Sequence, residues 1–316
     1  MRIVLSPLLC LAAAGAAQEA PPAAPAPAAL AAAAPAPPAD AGTELAFATQ
    51  KARMTVPVSV AGAGPYPFII DTGAQRTVIS RELAAELGLP RGRRVGLTAM
   101  TGRTEVDTVL VPTISVSSFS GAKIEAPQLE RRHMGAPGIL GIDTLQGHAV
   151  RIDFDRETMK VTPSRKHKRR SVSRPGEIVI TAKSLFGQLV VTDATYRNIK
   201  IRVVIDTGSE VTMGNEVLRQ RVARSHKGMR EIELVSVLGD TLVAGYTQVP
   251  QVKIGDVTFQ NLPIAFSAAA PFREWGLADK PALLLGMDAL RLFRQVHIDF
   301  ANREVRLTMP RGARAV

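Results

Sequence analysis

A chain of 316 residues, 46% hydrophobic and 21% charged, is long enough for two ordinary domains and apolar enough to give each a packed core. Aromatic residues make up only 4%, too few for the base-stacking surfaces that bind single-stranded nucleic acid. Part of the net charge of +11 sits in one run, Arg165-Lys166-His167-Lys168-Arg169-Arg170, which reads as a solvated linker because no nucleic-acid motif accompanies it.

The first element in chain order reads as an export signal over residues 1–17. Arg2 supplies the positive start, Ile3 to Ala14 is mostly apolar, and Ala14-Gly15-Ala16 or Gly15-Ala16-Ala17 offers a small-residue cleavage site. The apolar run falls short of the roughly 20 residues that span a bilayer. The expectation is therefore a periplasmic or secreted protein with no stable membrane insertion once the signal is removed. Cys10, the single cysteine, lies inside this segment, so the mature chain would carry no disulfide, thiolate nucleophile or Cys-ligated metal. Residues 18–42 are nearly all Ala and Pro, a composition that cannot bury a core and favours an extended spacer.

Beyond the spacer the chain repeats itself. One copy is assigned to residues 43–163 and the other to 176–310, joined by a basic linker at 164–175 and followed by a tail at 311–316. In each copy an apolar run enters the same tripeptide: Phe68-Ile69-Ile70-Asp71-Thr72-Gly73-Ala74, and Val203-Val204-Ile205-Asp206-Thr207-Gly208-Ser209. A threonine recurs six residues after each aspartate, at Thr77 and Thr212, and a helical stretch follows at Arg81 to Leu87 and at Glu216 to Val222. Glycine turns interrupt strand-like segments near Met100-Thr101-Gly102-Arg103 and Val237-Leu238-Gly239-Asp240. An apolar-apolar-Gly element comes next, Ile139-Leu140-Gly141 and Leu284-Leu285-Gly286. Each copy closes on a strand, Val150-Arg151-Ile152-Asp153-Phe154 and Val296-His297-Ile298-Asp299-Phe300.

Period-two alternation, as in Thr55-Val56-Pro57-Val58-Ser59-Val60, predicts an all-β protein of two tandem β domains, each with one or two short helices. Asp143 and Asp288, two residues after the repeated glycines, are expected to cap the late helix of each copy. His133, His148, His167, His226 and His297 form no close ligand pair, so neither a metal nor a cofactor is expected.

Two Asp-Thr-Gly loops, each with its own downstream glycine element in matching order, resemble the retropepsin-like aspartic peptidases, and more closely the tandem-domain bacterial aspartyl proteases. The resemblance covers about residues 43–310 and implies a pseudo-twofold dimer. It implies that Asp71 and Asp206 are the catalytic aspartates of an endopeptidase acting on peptide or protein substrates. Thr72 and Thr207 would lock the loops together, and Gly73, Ala74, Gly208 and Ser209 would support the carboxylates. Gly141 and Gly286 would pack beneath the loops, and Gly102 and Gly239 would lie near flap tips.

A dyad of this kind shares one proton, because two close carboxylates do not both ionise cheaply. The aspartic peptidase dyad is the standard example of the effect, and it needs no cofactor. The Ala74/Ser209 difference breaks the symmetry, and the Ser209 hydroxyl is expected to donate to the Asp206 carboxylate. Two assemblies satisfy the repeat: one shared dyad within a chain, or a homo-oligomer in which each repeat meets its twin. A linker of about a dozen residues favours the first through effective concentration. The alternative function is a non-catalytic module that binds peptides or organises an envelope complex.

Overall fold

The computed structural model describes residues 44–310, apart from 47, 51–52, 117–118, 122, 167–175, 186–187 and 224–227. The export signal, the Ala/Pro spacer, Cys10, most of the basic linker and the tail at 311–316 lie outside the described residues. Both repeats belong to one unit, Gly42–Val316.

Each repeat is built on antiparallel hairpins with two parallel pairings, one of them a crossing at its centre. In the first, the strand Ala63–Ile70 pairs antiparallel with Arg53–Val60 and parallel with Gly138–Leu140, setting Ile69 beside Ile139. In the second, Arg202–Ile205 pairs antiparallel with Gln188–Val191 and parallel with Ala282–Leu285, setting Val204 beside Leu284. Strands at a parallel crossing are covered on both faces. Hence Phe68, Ile69 and Ile70 are all buried, as are Val203, Val204 and Ile205, and the sequence shows unbroken apolar runs there.

The repeats join through a six-stranded zone whose order runs Glu44–Ala46, Thr158–Pro163, His148–Asp153, Gln295–Asp299, Glu304–Thr308, Glu177–Leu185. The order is the same read from either end, apart from which repeat each strand comes from. Its centre is the antiparallel pair of His148–Asp153 with Gln295–Asp299, in which Arg151 faces His297, its own counterpart, across the pseudo-twofold axis. Hydrogen bonds repeat across that axis: the Phe154 N–H donates to the Arg294 carbonyl at 2.9 Å and the Phe300 N–H to the His148 carbonyl at 3.2 Å. Apolar side chains from both repeats, including Val150, Ile152, Val296 and Ile298, belong to one core.

Among the described residues each repeat carries three short helices: Arg81–Glu86, Arg131–Met134 and Ile142–Leu145, then Glu216–Ala223, Ala270–Glu274 and Met287–Leu290. Ser80 caps the first, its hydroxyl accepting from the Leu83 N–H. The segments Arg131–Met134 and Ala270–Glu274 are additional to the expected helices. At four and five residues they are too short to show helical periodicity in sequence.

Asp143 and Asp288 do not cap the late helices, contrary to expectation. Gly141 and Gly286 occupy the cap positions without a side-chain bond. Asp143 instead accepts from both the N–H and the hydroxyl of Thr77, and Asp288 does the same for Thr212. The reason is proximity: the strand end that delivers each glycine passes directly beneath the threonine. A Cβ on Gly286 would lie 2.7 Å from the Val211 carbonyl carbon, and one on Gly141 would collide with the backbone of Arg76. The packing role expected of both glycines is what the fold requires.

Candidate active site

The two parallel crossings end at the same point in space. The Asp71 N–H makes the last rung to the Leu140 carbonyl, and the Asp206 N–H the last rung to the Leu285 carbonyl, each at 3.0 Å. Beyond these rungs both chains turn through Thr and Gly, and the turns interlock. The Thr72 hydroxyl donates to the Ile205 carbonyl at 2.7 Å and accepts the Thr207 N–H at 3.1 Å. The Thr207 hydroxyl donates to the Ile70 carbonyl at 2.9 Å and accepts the Thr72 N–H at 3.1 Å. A hydroxyl is the small group that donates once and still accepts, so threonine closes both halves of the exchange. Both threonines are buried, which makes the four bonds expensive to leave unmade.

This interlock sets the aspartates side by side. Each glycine of the tripeptide backs onto the opposite carboxyl group: a Cβ on Gly73 would lie 2.8 Å from the Asp206 Cγ, and one on Gly208 would overlap the Asp71 carboxyl group. Only a residue without a Cβ allows that approach. The Asp71 Oδ1 accepts from the N–H groups of Gly73 and Ala74 at 2.7 and 2.9 Å. The Asp206 Oδ1 accepts from those of Gly208 and Ser209 at 2.9 and 3.2 Å.

The two acids are not equivalent. Asp206 is 5% exposed, whereas Asp71 is half-buried. Burial, and then the charge of Asp71, push the Asp206 carboxyl up to about 8, with a side-chain hydrogen bond to Asp71 adding to the rise. The N–H donors of Gly208 and Ser209 pull the other way without prevailing. The raised carboxyl keeps a proton on the pair into neutral pH, and the two acids titrate as a unit.

A cleft of about 940 Å³ opens over the dyad. Two hairpins cover it, Arg91–Thr98 with Arg103–Val111, and Arg230–Val235 with Thr241–Ile254. Gly102 and Gly239 lie in the turns of these hairpins, where flap tips were expected. The tips touch, the Thr101 hydroxyl donating to the Asp240 carboxylate at 3.0 Å. Each tip packs on the opposite repeat. Val237 and Leu238 join the cluster of Val78, Leu129 and Ile139, while Met100 joins that of Met213, Trp275 and Leu284.

A family described as "Aspartyl protease" matches the chain over residues 56–144 and 188–289, one match in each repeat. The chain belongs to the aspartyl protease family. The match supports a peptidase-like function, and its two regions fit the tandem arrangement of the fold. No curated protein matches the chain.

In this aspartyl protease, the serine in the second tripeptide loop does something other than expected. The Ser209 hydroxyl donates to the Val211 carbonyl at 2.7 Å, and only the Ser209 N–H reaches Asp206. A carbonyl two residues on is a closer local acceptor than the carboxylate behind it. Tyr246 stands in the strand Thr241–Ile254 with the Arg230 guanidinium 4.7 Å from its ring centre. Among the described residues no group of His, Cys, Asp and Glu converges to hold a metal ion.

Two residues of the site were missed in sequence. Gln188, from the second repeat, is fully buried and donates its Nε2–H to the Gly73 carbonyl of the first loop at 2.8 Å. Its Oε1 has no hydrogen-bond partner among the described residues. Arg76, five residues past Asp71, lines the cleft. A glutamine opening the short, fully buried strand Gln188–Val191 gave no signal, but Arg76 could have been found by comparing the repeats, since Val211 holds its place in the second.

Proposed function

We propose that the protein is an aspartic endopeptidase that hydrolyses peptide bonds with a water activated between Asp71 and Asp206. The observation that carries this is the pairing of a half-buried acid with a fully enclosed one across a shared hydrogen bond. Asp71, the ionised member, takes a proton from the water. Asp206, protonated, donates to the oxygen of the scissile carbonyl as the water adds. The tetrahedral intermediate then collapses: Asp71 gives its proton to the leaving amine, a hydroxyl of the intermediate returns a proton to Asp206 as the carboxyl forms, and no acyl-enzyme arises. The flaps exclude bulk water and offer strand edges to an extended peptide. The signal-like N-terminus supports action outside the cytoplasm, in the periplasm or after secretion.

The decisive experiment is peptide cleavage by residues 44–316 across pH, with Asp71→Asn and Asp206→Asn made singly. Each change is expected to lower kcat by at least ~10²-fold. Partial, additive losses would point to two independent sites. Intact peptide binding with no cleavage by the unmutated protein would point to the non-catalytic module.

A further inference from the structure

The two walls of the cleft come from two copies of one repeat, so a substrate can read any difference between them. Moving outward from the dyad, the twofold-related pairs are Ala74 with Ser209, Gln75 with Glu210, and Arg76 with Val211. The last pair sets a guanidinium against an isopropyl group at equivalent places in one cleft. Arg76 is half-buried, and its Nη2 donates to the Glu125 backbone carbonyl. The Glu125 carboxylate turns away from it, accepting from the Arg93 N–H, the Arg93 side chain and the Thr108 hydroxyl. Among the described residues no carboxylate forms an ion pair with Arg76, and the residue lines the cleft.

The inequality recurs on the next layer. The short helix Arg131–Met134 brings Arg132 and His133 to the first wall. Its counterpart Ala270–Glu274 brings Pro271 and Glu274, and is followed by Trp275. Glu274 is tied to the first flap, accepting from the Thr98 hydroxyl at 3.2 Å and lying 4.0 Å from Arg103. What remains for a ligand is the Arg76 guanidinium on the first repeat, since Arg132 pairs with Glu130 at 2.7 Å, and on the second a wall where Val211, Pro271 and Trp275 stand beside the acids Glu210 and Glu233.

We propose that the site selects peptides with Asp or Glu at the position lying over Arg76 and an apolar or aromatic residue at the position lying over Val211 and Trp275. The proposal rests on the reading of the cleft as a peptidase site. A planar guanidinium already fixed at one nitrogen presents the rest of its fork to a carboxylate. A peptide with glutamine there must desolvate the arginine without neutralising it, and discrimination of this kind exceeds what an apolar pocket achieves.

The test is cleavage-site profiling of the full chain on a mixed peptide pool, run beside fluorescence-anisotropy binding of matched Glu and Gln peptides. Acidic residues are expected at one position within a few residues of the scissile bond, with a Glu/Gln ratio in kcat/KM of about tenfold or more. Arg76→Gln should bring that ratio close to one, and Arg76→Glu should shift preference to Lys. Arg76→Lys, which keeps the charge and a donor to the Glu125 carbonyl, should retain the acidic preference and so separates lost recognition from lost folding. Cleavage with no acidic preference, or a preference that survives Arg76→Gln, overturns the proposal and leaves the peptidase reading standing. If nothing is cleaved, the peptidase reading fails and binding decides the selectivity. Tighter binding of the Glu peptide that depends on Arg76 supports it, and equal or absent binding overturns it.

Discussion

Asp206 retains 5% of its surface while Asp71 stays half-buried, and that small difference makes the two acids unequal. An aspartate in an unfolded chain titrates near 3.9, whereas burial and Asp71 raise the folded Asp206 to about 8. A raised carboxyl contributes stability in full below about pH 4, where both states are protonated. Between these values the unfolded chain releases its proton and the folded chain holds it, so that contribution falls as pH rises and is lost above about 8. The change belongs to the dyad rather than to one acid. Asp206→Asn carries no titrating proton. Urea denaturation should therefore show the variant gaining on the unmutated protein from pH 4 to pH 8, and a constant difference would refute this account. The acids and their threonines could be read from sequence because two copies vouch for each other. The direction of the Ser209 hydroxyl could not, because it depends on which acceptor the turn brings nearer.

The loop that carries Asp71 is held at three places: the parallel crossing, the threonine interlock, and Gln188 at the Gly73 carbonyl. The first two recur around Asp206, but the third reaches from a strand of the other repeat. Replacing Gln188 by Leu removes one buried hydrogen bond, worth about 1 kcal/mol, and also removes an Oε1 that has no partner. These effects oppose each other, so the unfolding midpoint should move little. The loop loses a tether next to the ionised acid, so kcat should fall several-fold while KM holds. A large drop in stability with kcat unchanged would show that Gln188 only packs. Elements of this kind differ in how far the sequence reveals them. Thr55 to Val60 alternates with period two, and the strand stands where the alternation places it. The helix at Arg81 announces itself through Ser80. Gln188 and the flap tips act on partners more than 100 residues distant, through contacts that no local pattern encodes. Asp143 and Asp288 misled for the same reason, since the geometry of a cap is local and their true partners, Thr77 and Thr212, are not.

At the scale of the whole molecule the question is whether the repeats find each other within one chain or across two. The central strands supply a physical argument. Arg151 faces His297 on the axis, so a pair of first repeats would set Arg151 against Arg151. Like charges directly opposite on antiparallel strands are destabilising. Burial and the neighbouring Arg151 depress the His297 pKa, which keeps the ring neutral and makes the mixed pair the tolerable one. The basic linker adds to this, because about a dozen residues hold the internal partner at an effective concentration near the millimolar range. A single shared dyad then follows, and its activity should scale in proportion to protein concentration. Diluting the protein from micromolar to nanomolar should leave specific activity unchanged. Separate chains of residues 43–163 and 176–310 should each be inactive and should recover activity together only at high concentration. Specific activity of the intact chain that falls on dilution would mean that the dyad is assembled between molecules, and that the mixed pair at Arg151 and His297 is not what holds the repeats together.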